Sequence, residues 1–498
     1  MSLKIFNTLS GKKEDFVPLN GNTVFMYVCG ITVYDDCHLG HARAYTSFDL
    51  IYRYLSYLNY DVNYVRNVTD VDDKIIGRVH EIYPGKHGSD KMKELCSDIS
   101  EKYYNSFQND MAALNLSEPD KEPRATKHIG EMIKIIKELI DKGYAYVKEG
   151  DVFFSINKFS DYGKLSKRNS EQMMVGARVA QNTKKEDPFD FALWKSASSD
   201  EPSWKSPWGE GRPGWHIECS AMSLKHLGVT LDIHGGGQDL IFPHHENEIA
   251  QSEAYTGKPF TRYWIHNGFI TINREKMSKS LKNFKTLKEL FEKFPPRAIK
   301  FYLLSTHYRS PLDFSDHLIS AAFEGLKRIE NALMEVNKNI SNMENEKYKG
   351  LEDIELMDRF KNAMDDDFNS AKTIGIIFET VTELLSLVSS YESNKEKIIA
   401  LKNTVLKMLG ILGVIYMINM VRKVCLDEKN ILLDEDITKT MQKRDLENID
   451  IEILLNKRLV YKRNKDFKNA DLIRDFLSKK NIVIRDTLSN ETEWSLKK

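Results

Sequence analysis

The sequence contains few cysteines, almost no net charge and no long apolar segment. Its 5 cysteines among 498 residues are widely spaced, odd in number and include no Cys-x-x-Cys pair. This pattern argues against a disulfide framework and indicates a reducing compartment. The formal net charge of −1 provides no global basic field, so any contact with nucleic acid must come from a local basic patch.

Segments for secretion or for crossing a membrane are not evident either. Residues 1–17 are polar and lack the apolar core of a signal peptide. The most apolar late stretch, 408–421, is shorter than the roughly 20 residues that cross a bilayer, and a buried core helix is the better interpretation. We therefore expect a cytoplasmic protein with no membrane partner.

What the chain does contain is enough apolar sequence for several cores. At 498 residues and 41% hydrophobic content it should form two to four domains, since single cores stop growing near roughly 250–300 residues. An apolar run at 24–28, a helical pattern at 42–58 and a second apolar run at 62–65 predict a β–α–β unit. Such a unit implies a parallel sheet, which binds ligands beyond the carboxyl ends of its strands.

Two short signatures carry the chemistry. Residues 37–41, Cys-His-Leu-Gly-His, connect the first predicted strand to the helix, and residues 276–280, Lys-Met-Ser-Lys-Ser, lie in a polar loop. A strand, a small-residue turn and a helix form a phosphate site, because free backbone N–H groups face the anion. His38 and His41 can donate to phosphate oxygens, Gly40 leaves room for a nucleotide, and Lys276 and Lys279 can neutralise a leaving pyrophosphate. Alone, each signature could be an ordinary helix start or a solvated turn.

Together the two signatures resemble those of class I aminoacyl-tRNA synthetases. Three further segments, at 64–74, 214–222 and 232–248, are similar to the cysteinyl-tRNA synthetase family in particular, and the likeness extends over the whole chain. It implies an α/β Rossmann-like catalytic domain with a parallel sheet. It also implies an inserted connective domain, a helical bundle and a small basic C-terminal module.

A metal site is only partly predicted by spacing. His244 and Glu248 are four residues apart on a predicted helix and can share an ion, but His245 and Glu248 form a competing pair. The resemblance implies that one Zn²⁺ per chain is held by Cys29, Cys219, His244 and Glu248, and that it takes the sulfur of the substrate as a further ligand. Thiolates and imidazole suit zinc, and a soft metal separates cysteine from serine better than an apolar pocket does. Cys37, Cys96 and Cys425 are assigned to packing.

The implied reaction has two steps and no protein nucleophile. L-Cysteine attacks the α-phosphate of ATP, supplied with Mg²⁺, and the cysteinyl group then moves to the terminal ribose of tRNA(Cys). By resemblance, the amino acid is enclosed by Thr69, Trp215 and His234, and the rim of the nucleotide site is formed by Gly236, Gly237 and Asp239. Simple core packing of Trp215 and a structural turn at 235–237 are the alternatives.

We expect four domains, and a monomer. Residues 1–114 and 207–311 form the catalytic domain, 115–206 the insertion, 312–430 the bundle and 431–498 the module that binds the tRNA anticodon. Residues 455–480 carry nine Lys or Arg against three Asp. There the basic residues Arg463, Lys465, Lys468 and Arg474 are interleaved with Phe467 and Phe476. In one interpretation these residues bind phosphates and stack on exposed bases of RNA. In the other they belong to a pair of basic helices that is only solvated.

Three other functions are compatible with parts of the sequence. A ligase that joins cysteine to a small amine would not need the basic module, and a non-catalytic RNA-binding paralogue would not need His38, His41, Lys276 and Lys279. A zinc hydrolase is disfavoured because four protein ligands leave little room for an activated water.

Overall fold

The structure, a computed structural model, contains two compact units, Met1–Gly413 and Val414–Lys498. It describes residues 2–168, 184–272, 275–276, 284–340, 347–414, 454–455, 458, 467–479, 482–486 and 492–496.

The first unit begins with a hairpin and the predicted β–α–β unit. The elements are β1 (Lys4–Asn7), β2 (Lys12–Asp15), β3 (Thr23–Thr32), α1 (Leu39–Tyr57), β4 (Asp61–Thr69), α2 (Asp73–Ile82) and α3 (Ser89–Ala113). β3 pairs with β4 in parallel. The centre of β3 is buried, as expected for a nearly continuous apolar strand covered on both faces. The predicted strands and the crossover helix are therefore confirmed.

The inserted region contains a helix and an antiparallel sheet. The elements are α4 (Ile129–Asp141), β5 (Ala145–Lys148), β6 (Asp151–Phe154), β7 (Phe191–Ser196), β8 (Trp204–Ser206) and β9 (Gly209–Pro213). The strand order is β5-β6-β7-β9-β8. The sequence near 144–154 predicts the first strand pair. It does not predict the other three strands, because β7, β8 and β9 are short and are separated by polar residues typical of loops. The inserted sheet continues to Pro213. Earlier in the chain, the segment 120–124 forms backbone hydrogen bonds with β4 of the parallel sheet.

The second half of the parallel sheet follows the insertion. Its elements are α5 (Trp215–Leu227), β10 (Leu231–Gly237), α6 (Glu246–Thr256) and β11 (Thr261–Asn267). The order β11-β10-β3-β4 places β10 directly beside β3, with all neighbours parallel. Strands from both sides of the insertion thus form one sheet, and their carboxyl ends lie at one edge.

Helices dominate the rest of the first unit. The remaining elements are β12 (Ile270–Ile272), β13 (Glu275–Lys276), α7 (Leu287–Phe291), α8 (Pro296–Leu304), β14 (Leu312–Asp313), α9 (Asp316–Lys338), α10 (Ile354–Met364), α11 (Ser370–Val388) and α12 (Tyr391–Ile411). α11 packs against α9, α10 and α12, and α9 packs against α8. The predicted helical bundle after residue 311 is confirmed, and its apolar positions form the core.

In the second unit the structure describes one longer helix and a hairpin. These are α13 (Phe467–Lys479), β15 (Ile482–Asp486) and β16 (Thr492–Leu496), with β15 and β16 antiparallel. Leu454, Leu455, Ile473, Leu477 and Ile482 form a small core. The helix and the first strand were predicted, whereas β16 was not. Among the described residues, no helix is long and apolar enough to cross a membrane.

Candidate active site and metal centre

Four buried side chains from four different segments converge beside the parallel sheet. Cys29 lies near the end of β3, Cys219 in α5, His244 in the turn before α6, and Glu248 in α6. Cys29 Sγ is 3.9 Å from Cys219 Sγ and 3.5 Å from Glu248 Oε1, which is 3.0 Å from His244 Nε2. The structure therefore brings together the four residues that the resemblance assigned to zinc.

A second set of donors overlaps the first. Cys29 Sγ is 3.2 Å from His245 Nε2 and 3.6 Å from His234 Nε2, and His234 Nε2 is 3.4 Å from Glu248 Oε2. Cys29 and Glu248 belong to both sets. The competition between His244 and His245 seen in the spacing thus persists in three dimensions. Two thiols, an imidazole and a carboxylate form the set whose chemistry better matches zinc.

The cluster has the charge balance of a cation site. Burial raises the pKa of Glu248 and of Cys29 well above their usual values, and it lowers the pKa of His234 and His245 well below theirs. Oε2 of Glu248 accepts no hydrogen bond from any described residue. A buried carboxylate oxygen without a donor, next to two thiols, fits a divalent cation that would let these groups lose their protons.

A bulge in β3 determines how Cys29 enters the cluster. Val28 pairs with Arg66 and Ile31 with Val68, so Cys29 and Gly30 together face the single residue Asn67. Gly30 N–H donates to Asn67 Oδ1 at 2.7 Å, and a Cβ on Gly30 would lie 1.5 Å from the Asn67 carbonyl oxygen. Bulges of this kind redirect a side chain next to an active site. The extra residue directs the Cys29 thiol into the cluster.

Histidines outside the four ligands orient the histidines of the cluster. His216 Nδ1 is 2.8 Å from His244 Nδ1, and His266 Nε2 is 2.8 Å from His245 Nδ1. In both contacts the cluster histidine uses its Nδ1 atom, while its Nε2 atom faces the cluster. Histidines that bind metals are held by a hydrogen bond at the second nitrogen in the same manner. His216 and His266 were not predicted. Their partners are distant in sequence, so the spacing contained no signal for them.

The residues expected around the amino acid lie at the rim of this cluster. Trp215 stacks on His244 with ring centroids 4.1 Å apart, and it remains 37% exposed. That exposure argues against its assignment to simple core packing. Thr69 Oγ1 donates to Glu218 Oε2 at 2.8 Å, and His234 is fully buried. Glu218 is a third residue that sequence reasoning missed, although it adjoins Cys219.

A cleft of about 980 Å³ is lined by the inserted sheet and by the start of α5. Trp215, His216 and Glu218 contribute to its wall, together with basic side chains that include Lys195 and Arg212. These two basic groups are paired with Asp73 at 2.6 and 2.5 Å. Trp215 and His216 also contact His244, so the cleft adjoins the cluster.

The histidine signature forms the start of α1. Gly40 N–H donates to His38 Nδ1 at 3.1 Å, and His38 N–H donates to His41 Nδ1 at 3.3 Å. The two rings stack with centroids 3.7 Å apart. This reciprocal capping satisfies donors at the helix start and fixes both imidazoles at its positive end. The turn predicted for phosphate binding is therefore present.

The segment after the lysine signature is attached to the histidine turn. Leu39 N–H donates to Lys285 O at 3.1 Å, and Leu287 N–H donates to Cys37 O at 2.8 Å. Lys276 belongs to the short strand β13, which pairs with β12. Lys279 lies outside the described residues.

The glycines of β10 have different neighbours. A Cβ on Gly235 would lie 2.1 Å from the ring of Phe48 in α1, so close packing requires this glycine. A Cβ on Gly236 would contact Leu240 and His245, and one on Gly237 would contact Asp239 Oδ1. Asp239 is exposed just beyond the strand. Gly236, Gly237 and Asp239 thus lie at the carboxyl edge of the sheet, where a nucleotide binds in such folds.

Two further cysteines of the first unit were assigned to packing. Cys37 and Cys96 are buried free thiols whose pKa values are raised by burial, that of Cys96 to about 12, in keeping with packing. Cys425, Arg463 and Lys465 lie outside the described residues, and Lys468 lies in α13.

Two residues of the basic module are described in more detail. Arg474 is exposed and pairs with Asp471 at 2.8 Å. Phe476 packs against the small core of the second unit, which disfavours it as a platform for stacked bases.

Comparisons with known proteins agree with this geometry. The family model of the class I (C) tRNA synthetase catalytic domain matches residues 15–324, and the DALR domain matches 359–416. Proteins named cysteine–tRNA ligase from Geobacter metallireducens and Geobacter sulfurreducens are 47% identical to this chain, over all of both sequences.

Solved structures show the same fold at lower identity. A Mycobacterium tuberculosis methionyl-tRNA synthetase in complex with methionyl-adenylate has a TM-score of 0.55 at 15% identity. That match covers 79% of this chain and 90% of the other.

Proposed function

The chain belongs to the cysteine–tRNA ligases of the class I tRNA synthetases, and on that premise we propose that its buried cluster selects L-cysteine by holding one Zn²⁺. It is a ligase that forms cysteinyl-tRNA. The family resemblance and the activity it implied are confirmed by relatives 47% identical over the full chain. These relatives also match the C-terminal region, which argues against a ligase acting on a small amine.

The observation that supports the zinc proposal is the convergence of Cys29, Cys219, His244 and Glu248, with Oε2 of Glu248 lacking a donor among the described residues. These four residues would hold the ion. When bound, Zn²⁺ supplies a soft Lewis acid that prefers the thiolate of cysteine to the alcohol of serine. His216, through His244, keeps one ligand oriented.

The first step joins a carboxylate oxygen of cysteine to the α-phosphorus of ATP and breaks its bond to pyrophosphate. We assign His38 and His41 to the phosphates, Gly40 to the approach of the nucleotide, and Gly236, Gly237 and Asp239 to its rim. Lys276 and Lys279 neutralise the departing pyrophosphate, and Mg²⁺ accompanies ATP. Catalysis is by positioning and charge, so no protein nucleophile is needed.

In the second step the terminal ribose hydroxyl of tRNA(Cys) attacks the carbonyl carbon of the adenylate, and AMP leaves. Thr69, Trp215 and His234 enclose the aminoacyl group in both steps. The cleft beside Trp215 admits the end of the tRNA. Residues 431–498 bind the anticodon of the tRNA. The insertion predicted at 115–206 separates the catalytic segments 1–114 and 207–311, and its antiparallel sheet extends beyond that boundary to Pro213. The helical bundle is 312–430. The protein acts as a monomer in the cytoplasm. Its location in a reducing compartment is supported by the free thiols of Cys29, Cys37, Cys96 and Cys219.

Pyrophosphate exchange with different amino acids tests the proposal. Cysteine should support exchange at least about 10⁴-fold better than serine, because only cysteine satisfies the thiol-selective site. Cys96→Ala, which removes a buried thiol outside the cluster, should keep this preference. Comparable exchange with serine would contradict selection by zinc.

A further inference from the structure

Two histidines outside the active site face each other across two helices. His128 immediately precedes α4, and His226 lies in the last turn of α5. Their Nε2 atoms are 2.9 Å apart, and their rings are inclined at 68°. Both side chains are half-buried. α5 also carries Cys219, seven residues earlier, so the pair lies about 10 Å along the helix from the cluster.

The hydrogen bond made by the other nitrogen of His128 determines its tautomer. His128 Nδ1 is 2.8 Å from the carbonyl oxygen of Arg124. A carbonyl can only accept, so Nδ1 carries the proton, and neutral His128 presents a lone pair at Nε2. A histidine held in this way by a backbone carbonyl is oriented as metal-binding histidines are.

The surroundings keep His226 neutral and place a carboxylate nearby. Burial, together with the neighbouring His128 ring and the positive charges of Lys121 and Lys225, lowers the pKa of His226, and Glu131 opposes that shift. Glu131 lies in the first turn of α4 and pairs with Lys225 Nζ at 3.3 Å. A neutral imidazole is a metal ligand.

We propose that His128 and His226 form a second metal site, which binds a divalent transition metal ion through their Nε2 atoms. Two nitrogens about 2.05 Å from one ion are about 2.9 Å apart at a ligand angle of about 90° and about 3.3 Å apart at the tetrahedral angle that Zn²⁺ prefers. At 2.9 Å the pair already has the separation of adjacent ligands in a square-planar or octahedral site, and it must open by about 0.4 Å to bind Zn²⁺. Imidazole donors favour Zn²⁺, Cu²⁺ or Ni²⁺ over Mg²⁺ and Ca²⁺.

When the ion binds, the proton that His226 Nε2 shares with His128 in the metal-free pair moves to His226 Nδ1, so that both Nε2 lone pairs face the ion. The ion thereby cross-links α4 of the insertion to the helix that carries Cys219. Its site is independent of the proposed function, because neither histidine lines the cleft or the cluster.

Isothermal titration of the full-length zinc-loaded protein with Zn²⁺ tests this site. At neutral pH the unmodified protein should take up one further equivalent, and the ion should raise its melting temperature. His128→Gln and His226→Gln should each abolish the further equivalent, whereas His87→Gln, which changes another half-buried histidine elsewhere, should retain it. Below about pH 5.5 the uptake should disappear, because protons compete for the imidazoles.

Cysteine-dependent pyrophosphate exchange at the unmodified level shows that each variant is folded. His226→Asn serves as a second substitution should the Gln variant unfold. The proposal is wrong if the unmodified protein takes up no further Zn²⁺, or if either histidine variant still takes it up.

Discussion

The first unit, Met1–Gly413, contains two groups of histidines in opposite environments. In the metal cluster His234, His244 and His245 are at most 2% exposed, and their ring nitrogens face thiols and a carboxylate. At the start of α1 His38 and His41 are half-exposed, and they are stacked and tied to the backbone. Burial lowers the pKa of His234 and His245, whereas backbone hydrogen bonds fix the rings of His38 and His41 at the start of a helix.

The two histidine environments predict different responses to substitution. The cluster depends on a closed set of mutually dependent side chains, so removing one leaves buried polar groups without partners. The turn depends on a backbone geometry that several capping residues can support. Substitutions in the cluster should therefore cost far more than substitutions in the turn.

The largest effect is expected inside the cluster, at His244. His244→Gln should lower cysteine-dependent exchange roughly 10³-fold or more and reduce bound zinc, because the thiol-selective site loses a ligand. Elemental analysis and exchange kinetics measure both effects. His245→Gln is the matched control and should keep its zinc. If His245→Gln loses zinc and His244→Gln retains it, the other donor set is the site.

The next largest effect is expected at the lysine signature, which completes the phosphate site. Lys279→Ala should lower the rate of adenylation by about 10²–10³, since one preorganised charge is removed from the departing pyrophosphate. The affinity for ATP should change much less. Single-turnover kinetics separate the two quantities. Equal losses in rate and affinity would mean that this lysine only binds ATP.

A smaller effect is expected within the histidine turn. His38→Asn should keep the cap of α1 but lower adenylation about 10²-fold, through the loss of one phosphate donor. His38→Ala should lose the same activity and also about 1 kcal/mol of stability. Thermal melts alongside exchange assays compare the variants. Equal melting temperatures would show that the cap contributes nothing to stability.

The smallest effect on adenylation is expected from the C-terminal unit, which contains neither histidine site. A chain ending at residue 450 should exchange pyrophosphate normally, because every residue assigned to adenylation precedes it. Its transfer of cysteine to tRNA should fall. In the full chain, Arg474→Ala should reduce the salt dependence of tRNA binding by about one unit if this side chain contacts a phosphate. Unchanged tRNA charging by the shortened chain would show that recognition lies elsewhere.

Regular parts of the catalytic unit could be predicted because their signals are local. β3 is one apolar run, and α1 follows a small-residue turn, so both were visible in sequence. β7 to β9 and β16 were missed, since each is short and is stabilised by partners that only the fold supplies.

The residues of the candidate site also fall into those that the sequence indicated and those that only the fold brings together. The resemblance supplied the four cluster residues, but spacing alone could not choose between His244 and His245, and both do face Cys29 or Glu248. His216, His266 and Glu218 act through contacts between distant segments, for which the sequence had no periodic signal.

The bulge at Cys29 and Gly30 couples the two positions. A substitution at Cys29 removes a thiol from the cluster but leaves a strand shaped to present one, whereas any side chain at Gly30 collides with the peptide of Asn67. The course of the backbone, and not the identity of the side chain, therefore sets where residue 29 enters the cluster.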